Sequence, residues 1–357
     1  MTTIRIYPIP YRLRGNEYLE RIYGCIPHVA ENDTRLYIES FSFSKTFLRA
    51  LTHDSRQIVH VHWETNIYGS AYVLVSIIRG AYRFAGFFLL KSIGVKFVWT
   101  MHNLHAHDYP HPRIDSYGQA FMRLIADTII IQEPVAARAY SKHVGSSRVI
   151  SIPHPHWIEA YGERFTGDRA ALRDMYGFTK DDIVIIALGS IRPYKNIPYI
   201  IDAVCRAQRI NSHIRLLIAG KGEPGYIKNI KECINNTNGI VLKVGFVSPD
   251  DIPKLLALAD YSIFYFDHSS LTSGALILSL SYGTPAIARV APPSDIILEG
   301  ENGFTFVDKE QLETLLASLS SKQRPDTSDV IASVVNQSPE SVAFQLASLY
   351  IGFFKAL

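Results

Sequence analysis

The chain has 357 residues, of which 47% are hydrophobic and 19% charged. That is long enough for two globular domains and too apolar for a disordered segment. A net charge of +3, from 36 basic and 33 acidic residues, comes with no basic stripe or recognition motif and disfavours a nucleic-acid-binding module. Cys25, Cys205 and Cys233 are scattered and lack CxxC spacing, which argues against a disulfide framework and a structural zinc site.

Short apolar runs alternate with helical stretches. In the N-terminal half, Ile4–Pro8, Ile58–His62, Phe97–His102 and Thr128–Gln132 read as buried strands, each followed by a polar or Gly/Pro turn. The pattern pauses over Pro153–Asp182, a Pro- and Gly-bearing linker with a helix near Arg169–Tyr176. It restarts with strands at Ile183–Leu188, Ile214–Ala219, Ile240–Val244 and Tyr261–Phe266, and Ala286–Val290 closes the series. Helices fit at Ile197–Arg209, Tyr226–Asn235, Pro253–Ala259 and Ser273–Tyr282. Pro325–Asn336 is polar and loop-like or weakly helical. Glu340–Leu357 has apolar residues at helical spacing and must bury a face. The expected fold is α/β, with two doubly wound, Rossmann-like parallel-sheet domains facing a cleft. Their bounds are 1–160 and 161–338, followed by a terminal helix at 339–357.

Between Thr65 and His107 there is no Asp or Glu, while Arg79, Arg83, Lys91 and Lys96 sit among Ile, Phe and Leu. Two readings stay open: a segment lying on an anionic membrane surface, or a core helix with two arginines on its solvent face. The N-terminus has no signal-peptide run, and Arg79 and Arg83 interrupt the apolar stretch. The expected location is therefore the cytoplasm, with peripheral contact at the inner face of the membrane as an option.

In doubly wound sheets, ligands sit beyond the carboxyl ends of the strands. Leu188-Gly-Ser-Ile-Arg-Pro-Tyr-Lys-Asn196 puts Arg192 and Lys195 on such a turn, where two cations suit a diphosphate. Asp267-His-Ser-Ser-Leu-Thr-Ser-Gly-Ala275 follows another strand. There Thr272 or Ser273 can cap a helix and Gly274 admits close approach, so backbone N–H groups can cradle a phosphate. Each loop alone is more commonly an ordinary solvated turn or capped helix; the pair is more specific. Gly220, in Ala219-Gly-Lys-Gly-Glu-Pro-Gly225, and the Val244-Gly-Phe-Val-Ser248 turn are candidate walls of a base pocket. His60, His62, His102, His105 and His107 invite a metal, but their spacing lacks a ligand pattern and no metal is expected. His102 and the nearby acids Glu64 and Asp108 read instead as polar groups able to meet an acceptor hydroxyl. Some of these histidines, His60 or His62 and also His105, fit equally as satisfied core or hydrogen-bonding residues.

Taken in order, HVHWET, WTMHN, IPHPHW, GSIRPYKN, GFVSPDDIPKLLALADYSIF and LTSGALILSLSYGTPAIA resemble the GT-B glycosyltransferases of the family 4-like superfamily over nearly the whole chain. The bacterial polysaccharide enzymes are the most similar in pattern. The resemblance implies a UDP- or GDP-sugar donor held by the C-terminal half and a glycan or lipid-linked acceptor. Arg192 and Lys195 would bind the diphosphate, aided by Thr272, Ser273 and Gly274. Phe246 and Val247 would lie near the base. His102 would approach the donor sugar, and Asn16 and Tyr18 would lie near the acceptor. No cofactor or metal would be needed, and the last helix would cross back to the N-terminal domain. One departure matters: where retaining members carry two glutamates, this chain has Ser270 and Leu278. Ser270 is left to face the ribose without a charge. An inverting reaction is therefore expected, resembling β-mannosyl or glucuronosyl transfer, with Asp108 as first and Glu64 as second choice of base. Two alternatives accompany this reading, a nucleotide-sugar epimerase of the same fold and a non-catalytic carbohydrate-binding subunit.

Overall fold

The computed structural model describes residues 2–12, 17–26, 34–52, 56–107, 109–144, 148–234, 237–267, 269–320 and 323–355. The chain falls into two compact units. Unit 1 comprises Met1–Pro155, Ser269–Thr272 and Gln337–Leu357; unit 2 comprises His156–His268 and Ser273–Asn336.

Unit 1 is built on six parallel strands: β1 Thr2–Ile9, β2 Thr34–Ile38, β3 Gln57–Val61, β4 Lys96–Thr100, β5 Thr128–Ile131 and β6 Val149–Ser151. Their order is β2-β1-β3-β4-β5-β6. Its helices are α1 Tyr18–Cys25, α2 Phe43–Leu51, α3 Thr65–Tyr68, α4 Val73–Ser92, α5 Pro112–Ile125 and α6 Pro134–Val144. Unit 2 repeats the plan with α7 Arg169–Asp174, β7 Ile183–Leu188, α8 Ile197–Ala207, β8 Ile214–Gly220, α9 Pro224–Ile234 and β9 Ile240–Val244. It continues through α10 Ile252–Leu258, β10 Tyr261–Phe264, α11 Gly274–Ser281, β11 Ala286–Arg289, β12 Gly303–Phe306, α12 Lys309–Ser318 and α13 Thr327–Ala332. The strand order is β12-β11-β10-β7-β8-β9, again parallel. The last helix, α14 Pro339–Gly352, belongs to unit 1 and packs on α1.

Central strands are largely buried, as a parallel sheet covered on both faces requires. Every residue of β3 is buried, and so is every residue of β7 except Leu188. The three strands that sequence patterning misses, β2, β6 and β12, lie at sheet edges and are only partly buried, so they carry no continuous apolar run. The expectation that Ala286–Val290 closes the second series is corrected by β12, which pairs beyond it.

A buried ionic knot ties the entrance of unit 2. Asp260 accepts from Arg173 at 2.6 Å, from Arg169 at 2.7 Å and from the Val184 backbone N–H at 2.7 Å. One carboxylate thus anchors α7 to the start of β7, with its lone pairs satisfied by charged and backbone donors.

Candidate functional site

In unit 2, β7 and β8 run side by side and reach glycines at positive φ, Gly189 at 109° just after β7 and Gly220 at 157° at the end of β8. A Cβ on Gly220 would lie 1.8 Å from the Gly189 carbonyl oxygen. Only glycine lets the two strand ends pass this closely. The packing of the two strand ends thus requires Gly220 independently of its expected place in a base pocket. Beyond Gly189 the chain pairs Ile191 with Gly222, makes a single 3-10 turn at Pro193–Lys195, and enters α8 through Asn196 at φ 45°.

This turn returns Lys195 over the strand end. Its Nζ lies 3.3 Å from where a Gly189 side chain would begin. Lys195 is half-buried and makes no ion pair or hydrogen bond among the described residues. Burial pushes its pKa down to about 8. Arg192 differs: its guanidinium donates to Glu223 at 2.9 Å. A cation partly withdrawn from water without a counter-charge attracts an anion.

The neighbouring strand β10 leads into α11, whose N-cap is Ser273. The Ser273 hydroxyl accepts from the Leu276 N–H at 3.2 Å, and Gly274 is the first helical residue. Because β7 and β10 are adjacent and parallel, the Lys195 turn and the α11 N-terminus leave the same edge of one sheet. The remaining nucleotide candidates divide. Phe246 is exposed after β9, while Val247 packs half-buried against Phe178, Val184 and their neighbours. Ser270 and Thr272 fall in unit 1 rather than with the strand ends of unit 2. Ser270 is buried and bridges Asn103, and Thr272 Oγ1 is enclosed without a hydrogen-bond partner.

In unit 1 the carboxyl ends of β3 and β4 carry a buried imidazole cluster. His60 Nδ1 lies 2.7 Å from the Tyr23 hydroxyl and 2.6 Å from that of Tyr350, and His60 Nε2 lies 2.8 Å from Thr100 Oγ1. His62 Nε2 meets the same Tyr23 hydroxyl at 2.7 Å. His60 and His62 are both core residues, whereas His105 is exposed and makes no hydrogen bond among the described residues, contrary to its reading as a core or hydrogen-bonding histidine. His107 bonds Asn103 at 3.0 Å. His102 stacks on Trp63, with ring centroids 4.5 Å apart and planes 10° from parallel. Burial, reinforced by His154, pushes the His102 pKa down to about 3. Burial likewise lowers His60 to about 3, His154 to about 4 and His62 well below its usual value. The cluster is therefore neutral at physiological pH.

Tyr18 packs its ring against His62, Trp63, His102 and His154, and its hydroxyl accepts from Gln132 at 2.8 Å. It is a buried organiser of this cluster, with its phenol pushed upward by burial. Glu64 is also enclosed: Trp99 Nε1 donates to one oxygen at 3.3 Å and Gln119 Nε2 to the other at 3.2 Å. Burial, with the Asp115 charge adding to it, raises its pKa to about 7. Asn16 and Asp108 lie outside the described residues. Sequence reasoning missed Trp63, Gln132 and His154 as partners of His102; the aromatic and imidazole side chains of HVHWET and IPHPHW were the available signal. Among the described residues no three His, Cys, Asp or Glu side chains are placed to hold a metal ion.

Comparison with known proteins adds to this geometry. A family model described as Glycosyl transferases group 1 matches residues 182–321. The chain is 26% identical over 144 residues to the chitobiosyldiphosphodolichol beta-mannosyltransferase of Candida glabrata, covering 39% of this chain and 30% of that protein. It is 21% identical over 219 residues to the lipopolysaccharide 1,2-N-acetylglucosaminetransferase of Salmonella typhimurium, covering 58% and 57%. The chain thus spans less than two thirds of the length of these curated relatives. Among solved structures, Anabaena Alr3699/HepE in complex with UDP and glucose superposes with a TM-score of 0.70 at 13% identity, over 99% of this chain and 100% of that one. The pneumococcal O-GlcNAc transferase GtfA in complex with UDP and GlcNAc gives 0.59 at 12%, over 88% and 60%. The chain shares the GT-B fold of these solved structures, and residues 182–321 are similar to the glycosyl transferases group 1 family.

Proposed function

We propose that the chain is a glycosyltransferase that moves a sugar from a nucleotide-diphosphate donor to an acceptor hydroxyl. The observation that carries this reading is Lys195, a half-buried and unpartnered cation at the carboxyl edge of a doubly wound sheet. A leaving diphosphate supplies the charge that Lys195 lacks, and Arg192 joins it by exchanging Glu223 for phosphate. The N–H groups at the start of α11 add donors on the adjacent strand. UDP is the favoured carrier because the solved neighbours are described with it. A glycan or lipid-linked acceptor is favoured by the names of the curated relatives.

The reaction we favour is a single displacement without metal. The acceptor oxygen attacks the anomeric carbon, the bond to the diphosphate breaks, and a carboxylate takes the hydroxyl proton. The chain supports inversion by having Ser270 and Leu278 in place of two carboxylates. Asp108 is assigned as the base. Glu64, whose oxygens already accept from Trp99 and Gln119, is assigned to hold the cluster around His102 instead. Neutral His102 is assigned to hydrogen-bond the donor sugar.

A thermal-shift panel of UDP-, GDP- and ADP-sugars tests the reading. One sugar nucleotide should raise the melting temperature, and Lys195→Ala should remove the rise without lowering the melting temperature of the free protein. No shift with any donor would sink it. Conversion of the free nucleotide sugar without an acceptor would point to epimerisation.

A further inference from the structure

Helix α4 inverts the usual arrangement of a helix on a sheet. Its core stripe is Ser76, Gly80, Phe87 and Leu90, with Phe84 half-buried beside them. On the opposite side, Leu74, Ile78, Ala81, Ala85 and Phe88 recur every three or four residues and are all exposed. At about 100° per residue these form one continuous stripe centred opposite the core. Leu74 is 67% exposed, Tyr82 74% and Phe88 60%. The arginines do not occupy that face. Arg79 folds back to the Gly69 carbonyl at 2.7 Å, and Arg83 to those of Asn66 and Ile67 at 2.8 and 3.0 Å. The helix thus presents hydrocarbon to water and keeps its cations along one flank.

Its neighbours expose apolar side chains as well. α2 packs on α4, where Gly86 admits the Phe43 ring, and exposes Leu48 and Leu51. α5 packs on the other side and exposes Tyr117 and Leu124. The three helices carry seven basic residues and one acid, Asp115, which is buried. Arg49 and Lys91 are paired with Glu39 and Asp127. Lys45, Arg79, Arg83, Arg113 and Arg123 meet no carboxylate among the described residues.

We propose that the α2–α4–α5 face is a docking surface for an anionic lipid bilayer, with the outer stripe of α4 entering the headgroup boundary. Charge selects this occupant. An apolar stripe flanked by uncompensated cations matches anionic headgroups over acyl chains. A second copy of the same face would oppose like charges and bury them. Although α4 is long and apolar enough to cross a membrane, it is the crossover between the adjacent strands β3 and β4, and spanning would unmake that unit. It therefore lies on the surface.

The test is co-sedimentation of the full chain with phosphatidylcholine vesicles containing, or lacking, about a third phosphatidylglycerol. Binding to the anionic vesicles should exceed binding to the neutral ones and weaken with salt. Leu74→Glu combined with Phe88→Glu should lower it by about tenfold or more, with an unchanged melting temperature because both positions are exposed. Lys45→Glu with Arg113→Glu should erase the anionic preference. Absence of sedimentation, equal binding to neutral vesicles, or full binding by the Leu74/Phe88 variant would overturn the proposal. So would a dimer at assay concentration that Leu74→Glu dissolves. A nucleotide-sugar thermal shift in the same variants reads the donor site separately, so failure of one proposal leaves the other standing.

Discussion

The two sheets end differently. At the carboxyl ends of β3 and β4, polar side chains mostly bond one another: the Tyr23 hydroxyl bridges His60 and His62, and Glu64 accepts from Trp99 and Gln119. At the carboxyl end of β7, Lys195 stands without an acceptor. The first arrangement leaves only single atoms open, His62 Nδ1, His102 Nε2 and Gln132 Oε1, whereas the second leaves a whole cation without an acceptor. Polar residues at strand ends are thus not equivalent signs of function, and the distinguishing property is whether their hydrogen-bonding capacity is already spent.

The largest expected effect tests the open end. Lys195→Ala should lower kcat/KM for transfer by about a hundredfold or more, and a loss under tenfold would remove the distinction. Donor affinity should also fall as pH rises through about 8, where the ammonium of the free protein loses its proton. Isothermal titration between pH 7 and 9 measures this, and Lys195→Arg should abolish the dependence. Next comes the buried knot of unit 2. Asp260→Ala leaves Arg173 without its counter-charge and should cost about 3–5 kcal/mol by chemical denaturation.

The buried histidines of unit 1 predict a pH dependence of stability. His60, His62, His102 and His154 are held neutral, with folded pKa values below the unfolded ones. The unfolded chain therefore binds more protons below about pH 6.5, and stability should fall as pH drops from there towards 4. Glu64, raised to about 7, binds its proton in the folded state and works against this trend, by about one proton over the same window. Unfolding measured across that range should show net proton uptake, and a flat profile would break the account. The smallest effect is Tyr350→Phe, which removes one of the two hydroxyls on His60 Nδ1 and should cost about 0.5–1.5 kcal/mol.

Much of this is legible in sequence, for definite reasons. The central strands announce themselves because burial on both faces demands unbroken apolar runs, as in Ile183–Leu188. The Lys195 turn is legible because glycine and cation follow such a run directly. Edge strands such as β2 are hidden because half of each faces solvent. The exchange of roles between Arg192 and Lys195 is also hidden. It depends on Glu223, 31 residues away, meeting one cation and not the other. Nor does periodicity tell which side of α4 faces the sheet, because the helix is apolar nearly all round and its buried stripe mixes the small Ser76 and Gly80 with Phe87 and Leu90.

Unit 1 is interrupted by unit 2 in the chain, and Tyr350 reaches back 290 residues to His60. During synthesis at roughly 5–20 residues per second, His60 waits about 15–60 s for that hydroxyl. For that interval α1 has been made but its packing partner α14 has not. The first unit to leave the ribosome is therefore the last to close, and a chaperone that shields α1 would protect a surface that translation itself leaves open.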